Sequence, residues 1–490
     1  MKFGKNILTY AIGDLAGKAV ALVTSPFITR LLTPQEFGSF GLLSAVWSLV
    51  ALLQFGGMET AYQVFRAKNR DGQKEQEMFT TATRVATLSF FIVWGIFSLG
   101  AFWGGWAEHY AKVNRIQLLW YLLGLVPTII LSWYLYLFRF RHQPLPFVRT
   151  NFLSKVASAF ILLILLFFTP PQNRFTMFLA GTFFLQGLTW VWALRELKRY
   201  DTWPYSYSFF SKPLALNMFK FGISFIPGAA TYAAVVSMDR LMVGWLVGPV
   251  ETAIVQLALS LGSVALMLKM WFSLVWDPSL VEWLATRNPE IYLPKLKLVL
   301  ISLSITFFPL ACLTAVWSDV IVAILYPTSY MPAARLLSLI MLTGACSTLS
   351  LVGIATNTLD PSPKFYFMVY CCALVLTFII GFALIPLWGA LGAILGTLGA
   401  EIFILGCWVL RGHYLKKNLH LNWSPVLILG AISGVWIALY RPGVIFSGQI
   451  FMERLFLTLL ICTFVAFYGQ RIVHQAIPDW RYRIHHLWMR

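Results

Sequence analysis

Residues 6–41 read NILTYAIGDLAGKAVALVTSPFITRLLTPQEFGSFG. The stretch starts as an apolar segment long enough for a membrane helix, which needs about 20 residues. It nevertheless contains Asp14, Lys18 and Arg30, then turns at the polar sequence Thr33–Gly38 and enters a second apolar run. A charge near the centre of a span costs roughly 2.5 to 3.5 kcal/mol on insertion scales, so it usually faces protein or a water-filled cavity. The stretch therefore predicts a membrane helix beside which a polar group is carried or held.

The composition is that of a polytopic helical membrane protein. The 490 residues are 59% hydrophobic and only 11% charged, with a formal net charge of +18. Apolar runs of about 20 residues recur along the whole chain, whereas the short alternating segments of a β-barrel do not appear. The six cysteines lie in apolar runs and the seven histidines lack ligand spacing. We expect an all-α membrane protein without a metal site, a cofactor or a nucleic-acid partner.

Hydropathy predicts fourteen transmembrane helices. Their approximate ranges are 6–29, 39–64, 80–103, 117–138, 150–169, 175–194, 214–246, 252–275, 296–317, 333–356, 365–385, 388–410, 425–440 and 452–470. With the N-terminus inside, and with residues up to three positions from a span end counted with the adjoining loop, twenty-four of the 37 Lys and Arg residues fall in inner loops and tails, seven in outer loops and six within spans. This distribution follows the positive-inside rule and places both termini in the cytoplasm.

Two parts of the chain carry similar helix ends, which indicates an internal repeat. Arg30 is followed by Pro34-Gln-Glu36, and Arg240 is followed by Pro249-Val-Glu251. Helices one and seven run in the same direction, as in a parallel transporter repeat. The predicted organisation is an N-lobe (1–200, helices 1–6), a cytoplasmic linker (201–213), a C-lobe (214–412, helices 7–12) and a C-terminal part (413–490, helices 13–14 and a tail).

The charges inside the predicted spans are the candidate functional residues. Cations outnumber acids there, which favours an anionic cargo. We predict a cationic substrate-binding cavity formed by Arg30, Lys18, Arg84, Lys155, Lys220, Arg240 and Lys269. Asp14, Glu59 and Asp239 are predicted to bind a coupling ion or to form ion pairs, whereas Glu401 receives no role.

Structural interpretations of these charges remain open. Asp14 and Lys18 are four residues apart and share a helix face, so a structural ion pair explains them as well as a coupling site does. Arg84 and Lys155 lie about one turn inside their spans, where long cationic side chains can reach the interface.

Three stretches carry a family resemblance: residues 30–38 (RLLTPQEFG), 326–337 (YPTSYMPAARLL) and 385–393 (IPLWGALGA). Together with the fourteen spans, they resemble the polysaccharide-transporter branch, or O-antigen flippase type, of the multidrug/oligosaccharidyl-lipid/polysaccharide (MOP) exporter superfamily. The chain departs from the pattern at Ala253 and Val255, where Gly and Tyr are expected.

The resemblance implies two six-helix lobes in a V, plus two C-terminal helices, in the bacterial cytoplasmic (inner) membrane. It implies a flippase, not an enzyme, that moves an undecaprenyl-diphosphate-linked oligosaccharide from the inner to the outer leaflet by alternating access. The energy source would be a coupling cation (H⁺ or Na⁺) or the membrane potential. Expected partners are the lipid-linked oligosaccharide, membrane lipids, and the polysaccharide polymerase and glycosyltransferase machinery.

Four alternative functions compete with that of an oligosaccharide flippase. A lipid II flippase would use the same physics. A cation-coupled multidrug or small-molecule exporter of the same superfamily would need fewer intramembrane cations. A membrane enzyme would show a large outer loop or an intramembrane histidine, and a scaffold would leave the buried charges without a purpose.

Overall fold

The structure of the chain is a computed structural model that describes residues 17, 19–51, 53–68, 72–140, 144–199, 210–224, 226–285, 288–359, 362–414, 421, 423–440 and 448–476. Within these ranges the secondary structure is helical, and no strand occurs in them. The all-α class expected from the composition is confirmed.

The helices of the described ranges follow one another with short connections. In chain order they are α1 (Ala19–Leu31), α2 (Pro34–Val50), α3 (Met58–Lys68), α4 (Gly72–Trp103), α5 (Trp106–His109), α6 (Arg115–Phe140), α7 (Pro144–Phe168), α8 (Arg174–Arg199), α9 (Lys212–Ile223), α10 (Ile226–Leu246), α11 (Pro249–Ala285), α12 (Pro289–Leu325), α13 (Ala333–Leu359), α14 (Pro363–Trp388), α15 (Ala390–Tyr414), α16 (Ser424–Leu439) and α17 (Gly448–Ala476).

Ten helices of the described ranges are long and apolar enough to cross a membrane. They are α4, α6, α7, α8, α11, α12, α13, α14, α15 and α17. Helix α1 and most of α16 are shorter apolar helices. The chain is therefore a multi-span membrane protein, as the sequence predicts, while the count of fourteen helices stays a prediction.

Two of the predicted spans are each divided between two helices. Span 39–64 consists of α2 and α3, and span 214–246 consists of α9 and α10. The halves pack in pairs, α2 against α10 and α3 against α9. A Cβ atom on Gly57 would lie 2.3 Å from the carbonyl group of Gly222, and Gly57 has a φ of +72°. Glycine is required at this crossing because both the space and the left-handed backbone exclude a side chain.

Contacts within the chain divide it into two compact units, residues 1–253 and 254–490. Unit 1 has a continuous apolar core contributed by α2 to α9, with Leu43, Phe90, Tyr134 and Leu179 among its buried side chains. The predicted division into lobes and linker at 1–200, 201–213, 214–412 and 413–490 stays a prediction.

The turn between α1 and α2 is closed by a capping box. Thr33 is the N-cap of α2, and its side chain accepts a hydrogen bond from the Glu36 backbone N–H. The Glu36 carboxylate accepts a 2.8 Å hydrogen bond from the Thr33 backbone N–H in return. This reciprocal pairing satisfies two backbone donors at the helix start, and Pro34 occupies the first helical position, where no donor is needed.

The two similar helix ends found in the sequence contact each other in unit 1. A Cβ atom on Gly38, in the first turns of α2, would lie 1.7 Å from the carbonyl oxygen of Pro249, the first residue of α11. Ala253 also borders this contact and is fully buried. The Pro-x-Glu turn is thus a packing element in which Gly38 permits two helix starts to approach each other.

Unit 2 is a bundle in which α13 packs against α12 and α15, and α14 packs against α15. Its core includes Leu300, Phe307, Leu349 and Leu405. Helices α16 and α17 both pack against α12. Helix α16 also contacts α13, so the C-terminal helices pack onto the same bundle.

Candidate functional site: buried charges of the two units

Two of the predicted site residues, Asp14 and Lys18, lie outside the described residues. Gly17, which directly precedes Lys18, is described and is buried. A Cβ atom on Gly17 would lie 2.5 Å from Cδ and 2.9 Å from Nζ of Lys155 on α7. The structure therefore brings the predicted cation Lys155, which is half-buried, against the first helix at residue 17.

Arg84 lies half-buried on α4. Its guanidinium carbon is 5.4 Å from the centroid of the Phe210 ring, within the range of a cation–π contact. The neighbouring Ser211 backbone N–H donates a 3.2 Å hydrogen bond to the Thr81 hydroxyl, also on α4. Arg84 is therefore covered by residues that lead into α9, and the sequence did not indicate this contact.

Asp239 and Arg240 form an ion pair on α10. The Asp239 side chain is fully buried, and its Oδ1 accepts a 2.7 Å hydrogen bond from the Arg240 backbone N–H. The Arg240 Nε lies 3.8 Å from the same oxygen. The other oxygen, Oδ2, has no hydrogen-bond partner among the described residues. Two residues earlier, Ser237 shares a 2.6 Å hydrogen bond with Ser48 of α2, so this part of α10 makes a polar contact within unit 1.

The remaining predicted residues of unit 1 lie at helix ends. Arg30 is exposed in the last turn of α1, where the Arg174 guanidinium donates a 3.4 Å hydrogen bond to the Leu31 carbonyl. Lys220 is exposed in the last turn of α9, and Glu59 is half-buried in the first turn of α3.

Lys269, the predicted cation of unit 2, lies beside an acid. The Lys269 ammonium donates a 2.6 Å hydrogen bond to the Ser347 hydroxyl of α13. The carboxylate of Glu401 on α15, which is 5% exposed, interacts electrostatically with Lys269. Glu401 thus has a partner that the sequence could not identify, because the three residues lie on three separate apolar helices.

Unit 2 contains a buried ion pair that sequence reasoning missed. Arg454 on α17 donates a 2.5 Å hydrogen bond to Asp319 on α12, and their side chains are 5% and 3% exposed. The predicted ninth span ends at residue 317, two residues before Asp319, whereas α12 continues to Leu325. The sequence offered one sign of this pair: Asp319 and Arg454 are an acid and a cation, each near the end of an apolar run.

The distribution of these charges differs between the units. In unit 2, Lys269 and Arg454 each lie beside a carboxylate. In unit 1, the predicted cations outnumber the two described candidate acids, Glu59 and Asp239.

The apolar helices and the buried charges define a helical membrane protein that holds polar groups inside its helix bundles. Residues 3–283 match the family described as polysaccharide biosynthesis protein, so the chain belongs to that family. No curated protein sequence gives a significant match.

Solved structures with a similar fold include one flippase and two transporters. The lipid II flippase MurJ, in an inward closed conformation, aligns with a TM-score of 0.68 at 11% identity, covering 95% of this chain and 100% of that one. The MATE transporter VcmN of Vibrio cholerae, in its bent form, has a TM-score of 0.56 at 11% identity, covering 89% and 98%. The eukaryotic MATE transporter AtDTX14 has a TM-score of 0.56 at 15% identity, with the same coverage. At these identities the likeness concerns the fold alone.

Proposed function

We propose that this chain is a flippase that moves an undecaprenyl-diphosphate-linked oligosaccharide from the inner to the outer leaflet of the bacterial cytoplasmic membrane. The observation that carries the proposal is membership of the polysaccharide biosynthesis family in a chain whose helices are built to cross a membrane. A glycan assembled on a lipid must cross the bilayer before it is used outside, and a diphosphate does not cross hydrocarbon unaided.

The cations of unit 1 support an anionic cargo. Arg84, Lys155 and Arg240 are only partly buried, so each keeps access to a polar ligand. Guanidinium and ammonium groups bind phosphate oxygens through charge-assisted hydrogen bonds, and arginine does so with two parallel donors. In this proposal the diphosphate passes along these cations, while the prenyl tail stays in lipid.

Alternating access supplies the movement in this proposal. The fourteen-helix arrangement, with two six-helix lobes, two further helices and both termini in the cytoplasm, is part of the proposal. A coupling cation (H⁺ or Na⁺) or the membrane potential would drive the exchange. The potential supplies about 2.3 kcal/mol per unit charge per 100 mV.

Deletion of the gene tests the proposal directly. Lipid-linked oligosaccharide should then accumulate on the inner leaflet, where it is protected from a glycosidase added outside intact spheroplasts. Re-expression of the unaltered chain should restore access. If the glycan is equally accessible with and without the protein, the proposed function is wrong.

A lipid II cargo is the second candidate, favoured by the fold shared with the lipid II flippase. Depletion separates the two cargoes, because loss of lipid II flipping stops cell-wall synthesis and causes lysis. Growth without lysis, together with loss of a surface polysaccharide, supports the first cargo.

A further inference from the structure

We propose that the adjoining ends of α14 and α15 bind the phosphate headgroup of an anionic membrane phospholipid. This headgroup site consists of Lys364 and Phe365 on α14 and of Trp408 and Arg411 on α15. Binding at the site does not depend on the cargo, so it can be tested separately from the proposed function.

The two helices carry their positive charge at one end. Between Lys364 and Arg411 the sequence contains no other Lys or Arg, and its one acid, Glu401, is buried. The helices pack together and supply two 25-residue candidate spans, Lys364–Trp388 and Ala390–Tyr414. At about 1.5 Å per residue such a helix is about 37 Å long, whereas the hydrocarbon layer is about 30 Å thick. Both cations therefore lie at the level of the lipid headgroups.

Arg411 is held against an aromatic ring at this end. Its guanidinium carbon lies 4.4 Å from the centroid of the Phe365 ring, in cation–π contact, and the side chain is half-buried. Phe365 directly follows Lys364 in the first turn of α14, so this contact brings the two cations to the same turn. Two cations at one place suit a phosphate group, which an arginine can bind through two parallel donors.

A buried hydrogen-bond donor lies beside this arginine. Trp408 is fully buried one turn before Arg411, and its ring centroid lies 5.5 Å from that of Phe365 and 6.0 Å from that of Tyr366. Its indole N–H has no hydrogen-bond acceptor among the residues that the structure describes. A buried tryptophan N–H usually has a partner, and the phosphate and ester oxygens of a lipid are acceptors. The aromatic rings thus place a further donor beside the two cations.

The helix faces next to the headgroup site are apolar and exposed. Lys364 shares a face of α14 with Phe367 and Met368, three and four residues further on, and both are exposed. On the neighbouring α15, Leu410 is 69% exposed. A ligand with an anionic head and apolar tails therefore fits this surface better than a free phosphate ion does. In the predicted topology this end faces the cytoplasm, so the lipid would come from the inner leaflet.

Photo-crosslinking locates the lipid on the purified full chain in phosphatidylcholine nanodiscs. The probe is phosphatidylglycerol with a photoactivatable diazirine in one acyl chain. After illumination and proteolysis, mass spectrometry should find the label in peptides that contain residues 364–368 or 408–411. A phosphatidylcholine probe with the same tails should label them at least about five-fold less, the factor expected for one cation near an anionic lipid. Equal labelling by the two probes overturns the inference.

Variants test the individual residues with the phosphatidylglycerol probe. Arg411→Gln and Lys364→Gln should each reduce labelling about five-fold, which corresponds to roughly 1 kcal/mol for one cation. Trp408→Phe keeps an aromatic ring without the donor and should also reduce labelling. The matched control is Lys295→Gln on α12, because this exposed lysine likewise lies over an aromatic ring, that of Trp283 at 5.1 Å. The control should label like the unaltered protein.

Lys364→Gln keeps the test valid if Arg411→Gln is unstable, because Lys364 is exposed. Unchanged labelling in both variants overturns the inference, and so does an equal loss in Lys295→Gln. Excess inorganic phosphate should leave labelling unchanged, since the tails contribute to binding, and full competition would assign the site to free phosphate. Displacement of the probe by undecaprenyl diphosphate would place these residues on the path of the cargo and also overturn the inference. Failure of the chain to flip a cargo leaves this labelling unaffected.

Discussion

Asp319 of α12 accepts a 2.5 Å hydrogen bond from the guanidinium of Arg454 on α17, and both side chains are almost fully buried. Nearby, the Trp317 indole N–H donates a 3.0 Å hydrogen bond to the Thr458 hydroxyl, also between α12 and α17. These polar contacts join the last helix of the described chain to the body of unit 2.

Replacing Asp319 with Asn should destabilise the protein strongly. Arg454 would keep its charge in a buried position without an anionic partner, and breaking a buried pair in this way costs about 3 to 5 kcal/mol. Thermal unfolding in detergent, followed by circular dichroism, measures the loss. The control is Glu453→Gln, at the exposed residue that directly precedes Arg454, and it should leave the unfolding temperature unchanged.

The double variant Asp319→Leu/Arg454→Leu sharpens the same test. Apolar replacement of a whole buried pair is often close to neutral, since no isolated charge remains. The double variant should therefore unfold at a higher temperature than Asp319→Asn. An equal or lower transition would show that the pair is not the origin of the effect.

Replacing Gly38 with Ala should disrupt the start of α2. The added methyl group would overlap the Pro249 carbonyl oxygen. The methyl is fixed to the backbone of α2 and the oxygen belongs to the backbone of α11, so neither can move without its helix. Overpacking of this kind costs typically 1 to 3 kcal/mol or more, about the range seen in tight cores. Gly95→Ala in α4 is the matched control, because nothing lies within 4 Å of its added methyl and alanine favours helix. Comparable melting of the two variants would contradict the proposed close approach.

Replacing Gly57 with Ala should cost more than replacing Gly105. Both glycines have positive φ angles, +72° and +63°, so each substitution introduces backbone strain. Only Gly57 also meets a neighbouring backbone, that of Gly222, whereas nothing lies within 4 Å of a methyl at Gly105. The difference in unfolding temperature between the variants isolates the packing contribution. If the two variants unfold at the same temperature, backbone strain alone explains the need for glycine.

Replacing Arg30 or Arg240 with Ala should abolish flipping of a fluorescently labelled undecaprenyl diphosphate that carries one N-acetylhexosamine, measured in proteoliposomes, while the protein stays folded. Each variant removes one guanidinium from the proposed path of the diphosphate. Arg115→Ala is the control, since this arginine is 77% exposed and pairs with Glu108 at the surface. Because Arg240 neutralises the buried Asp239, the double variant Asp239→Asn/Arg240→Ala accompanies it as a folding check. Normal transport by either single variant would exclude that arginine from the path.

Local features of the fold were predictable from the sequence, and contacts between distant helices were not. The apolar runs and the Thr33–Gly38 turn depend on neighbouring residues, so hydropathy and capping patterns identify them. The grouping of Lys269, Ser347 and Glu401 depends on which faces of three apolar helices meet. No period in such uniformly apolar helices distinguishes one face from another.

Interruptions within spans were also hidden from the sequence. Hydropathy averages over a window, and the halves on either side of Gly56 and Gly57 are apolar enough to merge into one run. The count of charges within spans had the same weakness. The predicted ninth span ended at residue 317, two residues before Asp319, so this acid was not counted. Its partner Arg454 was not among the predicted cavity cations either, so counting this pair leaves the excess of positive charge unchanged.

The Gly57–Gly222 contact constrains how the length of the chain can vary. One inserted residue in the turn before α3 would rotate that helix by about 100° and shift it by about 1.5 Å along its axis. A different face of α3 would then meet α9, and the two glycines would no longer lie opposite each other. An insertion or deletion in one of these two spans therefore requires a matching change in the other, whereas a side chain at Gly105 would meet no neighbouring backbone.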